Sequence, residues 1–142
     1  MKKKKKPSKP LLSYPPQGFW ISPGGAVVPV QIHAEMLILM PEVFGLERAP
    51  HGRDEINAAI ADVLERGWVR ARVLSAGHIS FQVWKADAET VALIYGVLVE
   101  HHAGISHVAV ETVDPRGWWE FTLREFEEKR FPTHWGLGGE EP

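Results

Sequence analysis

Lys2, Lys3, Lys4, Lys5 and Lys6 stand in an unbroken run, and Lys9 follows closely. Ammonium groups so crowded neutralise phosphates with sequence-independent, salt-sensitive affinity. A second group lies in the middle of the chain. Trp68, Arg70 and Arg72 alternate with Val69, Ala71 and Val73, and Ser80, Gln82 and Trp84 alternate with Ile79, Phe81 and Val83. Indole, guanidinium and amide on one face is a mixture that single-stranded nucleic-acid sites use, where bases stack on rings and cations follow the backbone. Other groups point to other chemistry. Glu111, Asp114 and Glu120 fall near one hairpin, and paired carboxylates can move protons or hold Mg²⁺. His101, His102 and His107 with Glu100, and His33 with Glu35, suggest a metal. Their spacing matches no ligand pattern, and adjacent helical histidines point roughly 100° apart, so helix-end histidines are the plainer reading.

Each group has a bland reading beside the chemical one. The Lys run also suits a solubilising terminus, or an arm folding back on its own domain. A Trp68–Trp84 cross-strand pair stabilises a hairpin by about 0.2–1 kcal/mol without any ligand, and a helix or a second copy of the chain could cover it. Asp114 is explained by its place at the start of a turn. The chain has no phosphate-cradling glycine loop, no nucleophile elbow and no H-E-x-x-H motif. No catalytic residue, metal or cofactor is therefore expected, and binding is favoured over catalysis.

The elements that must position these groups follow from pattern and turn chemistry. Residues 1–17 read as a disordered basic, proline-rich tail, because lysines repel and Pro7, Pro10, Pro15 and Pro16 favour extended backbone. Gly18 to Ser22 reads as a strand, Ser22-Pro23-Gly24-Gly25 as a type II turn, and Ala26 to Val30 as an edge strand, since Pro29 cannot donate to a ladder. Gln31 to Met40 reads as a buried helix stopped by Pro41. Asp54 is a candidate N-cap for a second helix, with Ile56, Ala59, Ile60, Val63 and Leu64 as its apolar stripe and Gly67 as its end.

The central hairpin has one consistent register. Both apolar sets share a core only where Val73 opposes Ile79, Ala71 opposes Phe81 and Val69 opposes Val83, leaving Ser75-Ala76-Gly77 as the loop. Asp87 caps a helix running to about His102 and closed by Gly104. His107 to Val113 and Trp118 to Phe121 form a second hairpin around a type I turn at Asp114-Pro115-Arg116-Gly117. Thr122-Leu123-Arg124-Glu125 is a capping box, and Phe121 and Phe126 have hydrophobic-staple spacing. The order ββααββαββα describes a single α+β domain over residues 18–131. A twisted antiparallel or mixed sheet of about six strands would carry helices packed on one face, with 132–142 as a flexible C-terminal tail.

Composition bounds the partners. The chain has 142 residues, hydrophobic content of 44% and no cysteine, so disulfides, thiol catalysis and Cys-type zinc sites are excluded. No segment approaches ~20 apolar residues, and prolines rather than an apolar core follow the Lys run, so neither membrane nor secretion is expected, and a cytoplasmic location is. Sixteen basic residues nearly balance eighteen acids, yet six of the sixteen lie in the first ten positions; the rest of the chain holds ten basic side chains against all eighteen acids, a net charge of −8. A cationic tail on an acidic body points to nucleic acid or another polyanion as partner, with an acidic protein or a homo-oligomer as the alternative.

Phe19-Trp20-Ile21-Ser22-Pro23, Gly67-Trp68-Val69-Arg70-Ala71 and Phe121-Thr122-Leu123 together resemble motifs of small uncharacterised proteins encoded in tailed-phage and bacterial genomes. Those proteins carry W-I-x-P-x-G, G-W-[IV]-R and F-T-L-x-x-F patterns, and the likeness spans about residues 18–128. The resemblance implies a phage- or mobile-element-like protein, or a virion component on the protein-binding alternative. It lends no catalytic residues and does not include the Lys run.

Overall fold

A computed structural model describes residues 18–29, 36–101 and 104–135. The Lys run and the proline-rich segment through residue 17 lie outside the described residues, as do His33, Glu35 and His102. Among the described residues six strands form one sheet: β1 (Phe19–Ile21), β2 (Val27–Pro29), β3 (Val69–Ser75), β4 (His78–Val83), β5 (His107–Val113) and β6 (Arg116–Thr122). Their spatial order is β2-β1-β3-β4-β5-β6. Every neighbouring pair is antiparallel except β4 and β5, which run parallel. The helices are α1 (Met36–Leu39), α2 (Gly52–Glu65), α3 (Ala88–Glu100) and α4 (Leu123–Glu128). This is the expected α+β domain with a mixed sheet; α3 supplies the crossover that a parallel pair needs.

Strand alternation divides the sheet into two faces. The cross-sheet row Phe19, Ala71, Phe81, Val110 and Trp119 belongs to one. It packs against Val91, Ile94, Val97 and Leu98 of α3, Phe126 of α4, and Trp135. This is the expected helix-covered face. The opposite face is also covered at one end, where Trp20 and Trp68 meet Val63 and Leu64 of α2, Leu37 of α1, and Phe44 of a 3₁₀ turn over Pro41–Phe44. Helices thus lie on both faces, because Trp20 in β1 and the apolar stripe of α2 each need burial on that side.

Local chemistry explains the element ends. The α2 C-terminus is a Schellman motif: Trp68 N–H donates to Val63 O, Gly67 N–H donates to Leu64 O, and Gly67 takes φ 101°. Asp87 caps α3 by accepting from Thr90 N–H at 2.8 Å. The capping box is complete, with Glu125 N–H donating to Thr122 Oγ1 at 3.0 Å and Thr122 N–H donating to Glu125 Oε1 at 2.9 Å. The Phe121 and Phe126 rings meet edge to face at 5.5 Å, as a hydrophobic staple would bring them.

Several boundaries differ from expectation. Helix α2 begins two residues before Asp54; His51 is its N-cap, and Glu55 reaches back to accept from His51 N–H at 2.9 Å. In the first hairpin turn the left-handed residue is Gly25 (φ 94°) rather than Gly24, and Ser22 Oγ accepts from Ala26 N–H. The central hairpin keeps the expected Val73–Ile79 and Ala71–Phe81 pairs, but Ser75 also pairs with His78 through a bulge, so Ala76-Gly77 alone turns the chain. The second hairpin turns at Asp114-Pro115, joined by a cis peptide, because Val113 already pairs with Arg116. The folded unit also runs past residue 131. Trp135 is buried against Trp119, Phe121 and Phe126, and its indole N–H donates to Lys129 O, so the expected C-terminal tail does not begin at 132.

A Cβ on Gly18 (φ 109°) would stand 2.0 Å from Ala71 O, so Gly18→Ala is expected to abolish or strongly lower cooperative thermal unfolding. Thr122→Ala should cost about 1 kcal/mol in chemical denaturation. The Thr122 N–H holds the Glu125 carboxyl below the usual carboxylate range. Its stabilisation is therefore present above that range and lost as pH falls through the lowered value; the stability gap between wild type and Glu125→Gln should close on acidification.

Candidate nucleic-acid interface

The face opposite α3 carries the predicted interface residues. Arg70 pairs with Gln82, Gln82 with Glu111, and Glu111 with Trp118; in the next row Arg72 pairs with Ser80, Ser80 with Ala109, and Ala109 with Glu120. The β3–β4 hairpin therefore does bring Arg70, Arg72 and Gln82 to one face. The parallel β4–β5 pairing then sets two carboxylates and an indole beside them.

Trp68 and Trp84 do not form an outer stacking pair. Trp68 is 9% exposed and lies in the second core, 4.5 Å from the Phe44 ring and edge to face with Trp20 at 6.4 Å. Trp84 is half-buried against the same cluster. The reason is α2: its Schellman end delivers Trp68 directly beneath its own Val63 and Leu64. Trp118, half-buried on β6, is the indole that accompanies the Arg–Gln rows instead. Sequence reasoning missed its place because only the long-range parallel pairing puts β6 on this side of Gln82.

Charges on the face are balanced. Arg72 lies 3.5 Å from Glu111, and the Trp118 indole N–H donates to Glu120 at 2.8 Å. The Arg70 guanidinium stands over the Trp20 ring at 5.9 Å. The two carboxylates considered for acid–base work are thus engaged with neighbours, and Asp114 sits in its turn. Among the described residues, three polar atoms in these rows are buried with no hydrogen-bond partner: Arg72 Nε, Ser80 Oγ and Gln82 Oε1. Unpaired buried polar groups cost about 1–3 kcal/mol each, so this stretch of sheet is polar beyond what stability requires.

Of the histidines considered for a metal, His101 and His107 are among the described residues, and the His107 ring lies 6.1 Å from that of His78 across the paired strands. Ser106 Oγ lies 2.9 Å from His107 Nδ1, and His101 lies 3.7 Å from Glu100 on its own helix end. Among the described residues no three His, Asp or Glu side chains are grouped to hold a metal, and no helix is long and apolar enough to cross a membrane. The lysines of the predicted interface, Lys2 to Lys6 and Lys9, fall outside the described residues.

With this architecture, no protein-family model matches the chain, and no curated protein or solved structure matches it either.

The two indoles should respond differently to truncation. Trp68→Ala is expected to cost about 3–5 kcal/mol in denaturant unfolding, and Trp118→Ala less than half as much.

Proposed function

We propose that this chain is a non-catalytic accessory binding protein, of a phage- or mobile-element-like kind, that associates with nucleic acid. The observation that carries the reading is the charge split: six lysines within ten residues, attached to a body of net charge −8. A body so charged repels a polyanion over most of its surface, so attraction is concentrated in the Lys run. The rows holding Arg70, Arg72, Gln82 and Trp118 supply a second, local contact, where paired charges limit phosphate affinity and favour polar groups. The reading places the protein in the cytoplasm, or in a virion and its host cytoplasm. A second reading, a protein–protein or self-assembly module, is favoured by one observation: Leu39, Met40 and Val43 are 47%, 41% and 38% exposed close together in sequence.

Binding to a single strand at rising salt tests the first reading. Each phosphate neutralised on a single strand contributes a slope of about −0.7 in log affinity against log salt, so removing residues 1–10 should flatten the slope by up to about 4. An unchanged affinity and slope would refute it. A defined oligomer in light scattering, lost in Val43→Asp and accompanied by no nucleic acid after a high-salt wash, would favour the second.

A further inference from the structure

Among the described residues the sheet ends in β2 on one side and β6 on the other. β2 spans three residues and closes on Pro29, which has no N–H to offer a further strand. β6 spans seven residues, contains no proline and pairs with β5 without a register shift. An edge of that length and regularity is a template for another strand.

Main-chain bonds fix which β6 groups face outward. His107 N–H donates to Gly77 O and Val113 N–H donates to Trp84 O, so these residues and the alternate ones between them face β4. Val108, Val110 and Thr112 then face β6, where they meet Phe121, Trp119 and Gly117. The N–H and C=O groups of Arg116, Trp118 and Glu120 therefore turn away from the sheet. The flanking bonds agree: Leu123 N–H donates to Ser106 O on the β5 side, and Thr122 N–H donates to Glu125 Oε1. Among the described residues no main-chain bond outside the sheet involves Trp118 or Glu120. By alternation the Arg116, Trp118 and Glu120 side chains share the face opposite α3, where Arg116 and Glu120 are exposed and Trp118 is half-buried.

Charge selects the occupant. An edge bearing one sign repels its own copy, but β6 carries Arg116 and Glu120 at equal distances on either side of Trp118. We propose that β6 is a dimerisation edge, on which a second copy of the chain pairs antiparallel about a two-fold axis at Trp118. Arg116 then lies directly opposite the partner's Glu120 at both ends, and Trp118 exchanges N–H···O bonds with its own copy. Other registers are worse. An axis at Trp119 sets Arg116 opposite the partner's Thr122, whose N–H is already held by Glu125, and an axis at Glu120 sets that carboxylate against itself. The dimer joins two polar rows, each running Arg70, Gln82, Glu111, Trp118, into one continuous face with both Trp118 indoles at its centre. This edge is separate from the Leu39, Met40 and Val43 surface, and its pairing requires neither reading of function.

Sedimentation velocity of the full chain over a dilution series tests the edge. A dimer that dissociates on dilution is expected. Glu120→Arg sets like charges opposite each other at both ends and should weaken it about tenfold, as should Arg116→Glu, while the double exchange should restore affinity to within about threefold. Arg116 and Glu120 lie about 13 Å apart along one strand, so such rescue reports a pair between copies. The chain has no cysteine, so a single introduced thiol reads the register. Trp118→Cys should cross-link under mild oxidation, because Cα atoms of a hydrogen-bonded pair stand about 5.5 Å apart, and Glu120→Cys should not. A monomer at every concentration overturns the proposal; slow amide exchange at Trp118 and Glu120 in that monomer assigns the edge to a segment of the same chain. A dimer untouched by Glu120→Arg and lost in Val43→Asp overturns it as well, and assigns assembly to the Val43 surface. So does failure of the double exchange to rescue while its circular dichroism stays native. None of these outcomes bears on the salt-dependent strand binding, so the two ideas fail separately.

Discussion

The double-sided burial of β1 is the constraint on which the architecture depends. Phe19, Trp20 and Ile21 are all fully buried, yet alternation sends Trp20 to the opposite side from its neighbours. A three-residue strand therefore anchors two cores. Phe19 and Ile21 require the layer of α3, α4 and Trp135, and Trp20 requires α2 with Phe44. The edge-to-face contact of Trp20 with Phe44 at 5.4 Å and the contact with Trp68 at 6.4 Å fix where that second layer sits. A sheet so loaded cannot be open across a whole face. Among the described residues, the stretch beyond Trp20, where the rows turn polar, lies outside the second apolar cluster.

Features governed by neighbours in sequence were legible before the structure. The register of Ala71 with Phe81 followed from period-two alternation, and the capping box at Thr122 and the left-handed Gly67 from side-chain types at fixed offsets. Pro29 marked an edge strand, and β2 is at the edge. Features decided by distant partners were not, and one local choice was missed as well. His51 rather than Asp54 caps α2 because Glu55 can reach back to His51 N–H, a choice between two acids that composition does not make. Trp135 follows a proline and precedes glycines, which reads as an end; its burial depends on a gap between Phe121, Phe126 and Trp119 that exists only after β6 and α4 have packed.

The candidate site divides in the same way. Alternation alone put Arg70, Arg72 and Gln82 on one face, and they are there. It also put Trp68 and Trp84 there, but direction along a strand does not reveal what lies above it, and α2 lies above Trp68. The acidic neighbours Glu111 and Glu120 arrive through β5 and β6, whose place beside β4 is a matter of topology. Their presence turns an apparently cationic hairpin into a balanced surface. On the proposed function, this separates the attraction supplied by lysines from the recognition supplied by the domain.

The strand order also has a consequence for the chain as it is made. β1 and its partner β3 are separated by the whole of α1 and α2, since Phe19 pairs with Ala71. The first hairpin therefore emerges with Phe19, Trp20 and Ile21 lacking the strand that will bury them, and it waits for about fifty residues of synthesis before β3 exists. The β3–β4 and β5–β6 hairpins face no such delay, because each closes on itself. Assembly from the middle outward, with the N-terminal hairpin received last, is the order that loop-closure entropy favours. The interval exposes an aromatic, β-prone segment, so the nascent chain is most vulnerable to aberrant pairing at the residues that later anchor both cores.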